Sequence, residues 1–476
     1  MSTPFRHLLI SSFLLILSYS TAEGQTLWTL RACIDTALEN NIQIQQTEIQ
    51  AQIADNAVDA GYGGLFPTVN ASAGYNWNFG LNIDPVTNLA SRDNRQTNSL
   101  ALNAQWTLFN GMRNFNTLSQ ARLDRMARVY QVEDMKNNTS LTVASQYVQI
   151  LLNKEILKIA EEQLRVTELQ VVRMQQLVDA GAQPQGSLYD IQAQQARDKQ
   201  TFVSAQNNLA ISQLQLAQTL QLQKTAGFDV MPYNLQDPDA SLLSMTPEAI
   251  FEAALDNQPS VKASETAYES AVQGVKLAKG AAWPSLSLFA SIATNYSNQV
   301  RDLEIGQRGP APIGTTTSGD IVNDFGGLTV AQGDIKDFSA QYNDNINEFV
   351  GFSLSIPIWT GFQLKNGIRN ARLNEEQSRL QLQDTRNQLR QTIERAYADA
   401  KAALETFASA KTSVKANEEA FKYASVRFEN GAINQFDYEN ARNGLTQAQA
   451  QLAQARYDYV FRIKTLEFYL TGSIQP

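Results

Sequence analysis

Leu65-Phe66-Pro67-Thr68-Val69-Asn70-Ala71-Ser72-Ala73-Gly74-Tyr75-Asn76-Trp77-Asn78-Phe79 is the stretch on which the reading of this chain turns. Val69, Ala71, Ala73, Tyr75, Trp77 and Phe79 are apolar or small, and Thr68, Asn70, Ser72, Asn76 and Asn78 interleave. Strict alternation argues for a strand rather than a helix. Three more segments share it. Leu100, Leu102, Ala104, Trp106 and Leu108 alternate with Ser99, Asn103, Gln105 and Thr107. Leu286, Leu288, Ala290 and Ile292 alternate with Ser285, Ser287 and Ser291. Phe352, Leu354, Ile356 and Ile358 alternate with Ser353 and Ser355. The polar partners are uncharged, which is the pattern of a membrane barrel with one face to lipid and one to water. Leu102, Trp106, Leu288 and Leu354 are then expected to face lipid. Phe66, Phe109, Trp283 and Trp359 mark strand ends, where aromatic girdles form at a membrane interface. A soluble sandwich fits less well, because the strands come in two pairs about 170 residues apart.

Beyond this stretch the chain repeats itself. Leu65-Phe66-Pro67-Thr68-Val69 returns as Ala282-Trp283-Pro284-Ser285-Leu286, 217 positions later. Ala37-Leu38-Glu39-Asn40-Asn41 returns at the same offset as Ala254-Leu255-Asp256-Asn257-Gln258. Phe109-Asn110-Gly111 returns as Trp359-Thr360-Gly361, and Ala121-Arg122-Leu123 as Ala371-Arg372-Leu373, both 250 positions later. A period this long is a duplicated unit, not a solenoid. The step between the offsets places about 33 extra residues in the second copy, within a Gly-, Thr- and Asp-rich connection over 297–347. Barrels of this kind put long loops outside the cell. The expected organisation is a signal at 1–22, a first repeat at 23–226, a linker at 227–246 and a second repeat at 247–476.

Each repeat also carries a very long helix. No breaker stands between Gly111 and Gly181, and the matching second helix is expected from Gly361 to Gly431. Seventy helical residues would reach roughly 105 Å. Val143, Ile150, Leu157, Leu164, Val171 and Val178 recur every seven positions. Adding 250 gives Ile393, Ala400, Phe407, Val414, Phe421 and Phe428. Sustained heptads mean supercoiled packing. Ala396, Ala403, Ala410, Asn417 and Ala424 form a second stripe that permits close helix approach. Return helices are expected from Ser187 and from Gln435, and shorter helices over 30–60 and 247–279 lead into the strands.

Composition narrows the function. Arg6 and His7, an apolar run from Leu8 to Leu17, and Ser20-Thr21-Ala22 before Glu23 read as a secretory signal. No later segment has about 18 consecutive apolar residues, so a membrane crossing would use strands. His7 is the only histidine and lies in that signal, so no imidazole remains for catalysis or metal binding. Cys33 is the only cysteine, which excludes an intrachain disulfide, and its helical context suits a packed residue. The net charge of −9 argues against nucleic acid. No P-loop, dinucleotide fingerprint or Gly-x-Ser-x-Gly elbow supports an enzyme. No cofactor or metal is expected.

Four strands cannot close a barrel, for which about eight is the minimum. Open edges in lipid leave unpaired backbone groups at several kcal/mol each. The chain must therefore oligomerise, and strand count alone leaves a dimer and a trimer open.

The ordered set of motifs resembles the TolC-like outer-membrane efflux and secretion channels, over nearly all of the chain from about Leu27 to Thr471. The resemblance rests on the duplicated order of elements, on Phe66-Pro67 and Trp283-Pro284 before strands, on Phe109-Asn110-Gly111 and Trp359-Thr360-Gly361 after them, and on Gly431 through Ala441. It implies a mainly α fold with a small membrane β-part. A long coiled α-helical barrel would join a homotrimeric 12-strand β-barrel, with four strands per chain. It implies a Gram-negative outer membrane location, projecting into the periplasm. It further implies a passive exit duct for tripartite efflux or type I secretion, served by a periplasmic adaptor and an inner-membrane transporter of RND or ABC type. By the same resemblance, Ala180, Gly181, Ala182 and Asn430, Gly431, Ala432 match the adaptor-contact turns. Phe428, Asp437 and Asn440 match gate positions, with Tyr189 and Asp190 as counterparts on the first hairpin. The gate pattern departs here: Ile433 stands at the basic position and Asn440 replaces a carboxylate. The competing reading is an outer-membrane coiled-coil structural or adhesive protein without transport.

Overall fold

The computed structural model describes residues 27–83, 90–92, 94–225, 227–232 and 240–472. The expected signal at 1–22 and residues 233–239 of the linker lie outside them. The first copy contains β1 (Leu27–Trp28), α1 (Leu30–Asn40), α2 (Ile42–Gly63) and β2 (Thr68–Asn78). A short pair, β3 (Asn82–Ile83) and β4 (Ala90–Ser91), precedes β5 (Arg95–Phe109), α3 (Arg113–Asp179) and α4 (Gln185–Thr219). The linker holds β6 (Asp229–Val230) and a 3-10 turn over Ala240–Ser244. The second copy begins with α5 (Pro247–Asn257), α6 (Pro259–Gly280) and β7 (Ser285–Ser297). It continues with β8 (Arg301–Arg308), β9 (Pro312–Thr315), β10 (Ile321–Asn323), β11 (Gly327–Ile335) and α7 (Phe338–Asp344). It ends with β12 (Asn347–Ser355), α8 (Gln363–Glu429) and α9 (Gln435–Thr471). Helices α3 and α8 each have 67 residues, and their first residues differ by the 250 of the repeat.

The helices before the strands are not continuous over 30–60 and 247–279 as expected. Both break at the last residue of the duplicated motif. Asn41 and Gln258 turn extended, with ψ of 119° and 120°, while their N–H groups still donate to Ala37 O and Ala254 O at 2.9 Å. Asn41 Oδ1 then accepts from Gln43 N at 2.8 Å and caps α2. Pro259 opens α6, where a missing N–H costs nothing.

The described residues form two compact units, and each draws on both copies. One takes residues up to Gln52, Met126–Glu265 and Leu380 onward; the other takes Ile53–Arg125 and Thr266–Arg379. In the first, the heptad stripes supply the core. Val143 and Ile150 pack with Cys33, Ala37, Leu216 and Phe228. Ile393 packs with Ile250, Ala254 and Leu466. Val143 and Ile393 are repeat equivalents, and so are Ala37 and Ala254. Each fully buried Val, Ile or Leu contributes about 1.5–3 kcal/mol. Burial pushes the Cys33 thiol up to about 12, which keeps it protonated and unreactive.

The second unit holds an antiparallel four-stranded sheet in the order β12-β7-β5-β2. Its register obeys the duplication. Val69 faces Ala104 and Ala71 faces Leu102; Leu286 faces Leu354 and Leu288 faces Phe352. Adding 217 to each β2 residue and 250 to its β5 partner converts the first pairs into the second. Where β5 meets β7 the register shifts between Thr107 and Phe109. Leu108 is the bulged residue, so Phe109 rather than Leu108 faces Leu286 and the alternation expected through Leu108 stops there. The fourth strand spans Asn347–Ser355, so Ile356 and Ile358 lie beyond it, unlike the expectation.

The connection over 297–347 is built rather than an irregular loop. β8 and β11 pair as a hairpin, with β9 and β10 paired between them. Helix α7 returns to β7. The Gln341 amide there is 1% exposed, accepts from Ser297 N at 3.0 Å and donates to Ser297 O at 3.0 Å. It supplies the backbone of the last β7 residue with the partners a strand would give.

Candidate functional site: sheet faces and hairpin tips

Cross-strand partners share a face. One face of the sheet carries Val69, Ala104, Ala290 and Val350 in one row, and Ala71, Leu102 and Ile292 in the next. Trp106, Leu288 and Phe352 form a third row, and Phe109, Leu286 and Leu354 a fourth. The four residues expected to face lipid, Leu102, Trp106, Leu288 and Leu354, thus lie on one face, together with Phe109. The opposite face carries Asn70, Asn103 and Ser291, then Thr107, Ser287 and Ser353. Two kinds of exception stand out. Glu348 sits on the apolar face opposite Ile292, and Phe289 and Phe349 sit on the polar face opposite Gly351 and Ser291. Phe66, Trp283 and Trp359 are exposed at the strand ends, and the Trp106 Nε1–H donates to Leu65 O at 2.9 Å.

Both hairpin turns are built alike. Gly181 has φ of +72° and Gly431 of +70°, a conformation that favours glycine. Gly181 N donates to Val178 O at 2.9 Å and Ala182 N to Leu177 O at 2.8 Å. Gly431 N donates to Phe428 O at 2.9 Å and Ala432 N to Arg427 O at 2.7 Å. These paired bonds satisfy the last carbonyls of each long helix. Ala180 to Ala182 and Asn430 to Ala432 are exposed.

Beside the second turn, Asn434 Oδ1 accepts from Asp437 N at 2.9 Å and starts α9. Asp437 sits in that first turn, where the N-terminal end of the helix favours a carboxylate. Asp437 and Asn440 are exposed, as are Tyr189 and Asp190 on the first hairpin. Phe428 is half-buried, stacked on Tyr438 of its own hairpin with centroids 4.8 Å apart.

A buried polar cluster escaped the sequence reading. Arg442 Nη2 lies 2.6 Å from Glu439 and 3.6 Å from Asp198, and donates to the Thr167 hydroxyl at 2.8 Å. Thr167 donates in turn to Asp198, which also accepts from Gln194 Nε2 at 2.7 Å. The Arg442 and Asp198 side chains are 4% and 8% exposed. The cluster joins α3, α4 and α9. Burial pushes the Glu439 carboxyl above its ordinary range, against the pull of Arg442. One signal could have revealed it: Thr167 is the repeat equivalent of Asn417, a polar residue in a stripe of small ones.

The sequence model described as "Outer membrane efflux protein" matches residues 33–220 and 250–472. The chain belongs to the outer membrane efflux protein family. The unmatched gap falls on the linker between the two copies. Among relatives, the outer membrane efflux protein BepC of Brucella suis is 22% identical, covering 96% of this chain and 88% of its own. Outer membrane protein TolC of Vibrio cholerae is 22% identical over 90% of this chain and 87% of its own. The fold agrees with solved structures. VceC from Vibrio cholerae superposes with a TM-score of 0.72 at 15% identity, covering 93% of this chain and 95% of its own. The CmeC outer membrane channel of Campylobacter jejuni gives 0.73 at 16%, covering 94% and 86%. Membership in the efflux family makes this a Gram-negative outer-membrane protein that serves as an efflux duct. Its mainly helical, duplicated architecture with a four-stranded membrane sheet is the family fold.

Proposed function

We propose that three copies close a 12-strand barrel and that this homotrimer is the exit duct of a tripartite efflux or type I secretion assembly. A periplasmic adaptor would contact the turns at Ala180–Ala182 and Asn430–Ala432, and an inner-membrane transporter of RND or ABC type would supply energy and selectivity. The duct itself does no chemistry. Phe428, Asp437 and Asn440, with Tyr189 and Asp190, line its periplasmic closure. The apolar sheet face with Leu102, Trp106, Leu288 and Leu354 meets lipid, and Phe66, Phe109, Trp283 and Trp359 lie at its borders.

The observation that supports this most is the sheet itself. It has one apolar face and two free edges, β2 and β12, which run in opposite directions. Edge-to-edge closure between copies therefore keeps every pairing antiparallel and leaves no open edge in lipid. Mass measurement of the extracted oligomer and its conductance in planar bilayers test the reading. A trimer that conducts supports it. A stable monomer with intact strands, or a trimer without conductance, would refute it, the latter in favour of a structural or adhesive role.

A further inference from the structure

Within the chain, the first copy touches the second along β5 and β7. The same duplication specifies a second contact that the single chain cannot make. We propose, resting on the trimeric reading above, that β12 of one protomer pairs with β2 of the next in the register of β5 with β7, and that Gly361 closes against Gly63 of the neighbouring copy.

The register follows from the offsets. Leu102 faces Ile292, Ala104 faces Ala290 and Leu100 faces Thr294. Moving the β5 member forward by 250 and the β7 member back by 217 sets Phe352 against Tyr75, Leu354 against Ala73 and Val350 against Trp77. All six residues lie on the apolar face, so that face runs unbroken across the boundary. Ser353 meets Gly74 and Gly351 meets Asn76 on the polar face. A slip of one residue would place apolar residues on the wet side.

The glycines supply an independent observation. At the corners between helix and strand, Gly111 and Gly280 approach so closely that neither can carry a side chain. A Cβ on Gly280 would lie 2.6 Å from Gly111 O and 2.8 Å from Arg113 Cγ, and a Cβ on Gly111 would collide with Gly280 O. Their repeat equivalents are Gly361 and Gly63. A Cβ on either would have nothing within 4 Å in the single chain. Gly361 needs its left-handed backbone, with φ of +57°, but Gly63 ends a helix and has no such need. A neighbour standing where Gly111 stands for Gly280 explains why Gly63 lacks a side chain.

The shortened fourth strand agrees. β2 pairs with β5 only as far as Gln105, and residues 106–109 are held by β7 alone. The equivalent residues 356–359 would be held by β2 of the next copy alone, and in the single chain they follow β12 outside any strand.

Cysteine pairs test the register, in a Cys33→Ser background. Ala73→Cys with Leu354→Cys should oxidise to a covalent trimer that survives denaturation and reverts with reductant. Directly opposed Cα atoms lie about 4.5–5.5 Å apart, within disulfide reach, whereas partners shifted by two lie about 7–8 Å apart. Ala71→Cys or Tyr75→Cys with Leu354→Cys should therefore stay unlinked. Gly63→Leu should keep its helical content as a single chain yet lose the assembled oligomer. A shifted pair that links instead, or a Gly63→Leu oligomer as stable as the parent, overturns the proposal. A covalent dimer at the predicted pair would keep the register and sink the trimer, so the two readings fail separately.

Discussion

Tyr147 and Tyr397 stand 250 positions apart and perform the same task. The Tyr147 hydroxyl donates to Met231 O at 2.8 Å, and the Tyr397 hydroxyl to Leu243 O at 2.9 Å. Each long helix thus reaches, one turn past Val143 or Ile393, to a backbone carbonyl of the linker between the copies. Tyr147 also approaches Trp28 O at 3.3 Å, beside the β1–β6 pairing that ties the start of the described chain to the linker. Tyr147→Phe or Tyr397→Phe leaves a carbonyl without its partner and should cost about 1–3 kcal/mol. Thermal unfolding followed by helical signal measures it, and unchanged midpoints in both variants would show that the linker is held by packing alone.

The buried cluster should be costly to break. Arg442→Met strands the carboxylates of Glu439 and Asp198 away from water, with an expected loss of about 3–5 kcal/mol. Glu439→Gln keeps the Arg442–Asp198 pair and should cost far less. Denaturant unfolding of the helical signal ranks the two, and equal loss would mean that Arg442 acts through volume rather than charge.

Glu439 also predicts a pH dependence. Its carboxyl binds a proton more readily folded than unfolded, because burial raises it above the ordinary 4.5. The folded state then holds more protons in the window from about 4.5 upward to the raised value. Within that window this group's contribution to stability falls as pH rises. Glu439→Gln should remove that component, seen as a midpoint difference between variant and parent that changes with pH across the mildly acidic range. An unchanged profile would place the titration elsewhere.

The sheet faces predict an asymmetry. Leu102→Arg or Leu354→Arg should lose roughly 2–4 kcal/mol near the bilayer centre. Asn103→Arg and Ser353→Arg, on the opposite face, should assemble. Recovery of membrane-inserted oligomer reads both sets, and equal losses would reverse or dissolve the face assignment.

The tips predict two separable effects. Asp437 from each protomer should attract multivalent cations added on the periplasmic side, so Asp437→Ala should lose their block of conductance while still assembling. Phe428 leans on Tyr438, so Phe428→Ala removes a packed ring and should raise resting current. If cation block persists in Asp437→Ala, the constriction lies with Tyr189 and Asp190.

Much of this was legible without coordinates. The alternation from Val69 to Trp77 identified β2 and its apolar face, because side-chain direction in a strand depends only on the residue count, while Phe79 falls just past the strand. The glycine turns at Gly181 and Gly431 were legible because a left-handed cap is a local demand. The break at Asn41 falls inside the expected helix over 30–60, because a single capping amide is a weak local signal beside a run of helix formers. The residues over 297–347 looked like a loop because Gly and Asp suit turns. Their pairing as β8 with β11, and the docking of Gln341 on Ser297, depend on partners 19 to 44 positions away.

The duplication, the four amphipathic strands, the two long helices and the family to which they belong are all legible in the residues alone. Each of these is written in spacings between near neighbours or in a repeat offset. The bulge at Leu108, the end of β12 at Ser355, and the meeting of Thr167, Asp198 and Arg442 in a buried cluster follow from three-dimensional contacts. Register and buried polar contacts are set by non-local pairing, where hydrogen bonds and packing between distant segments outweigh any local preference.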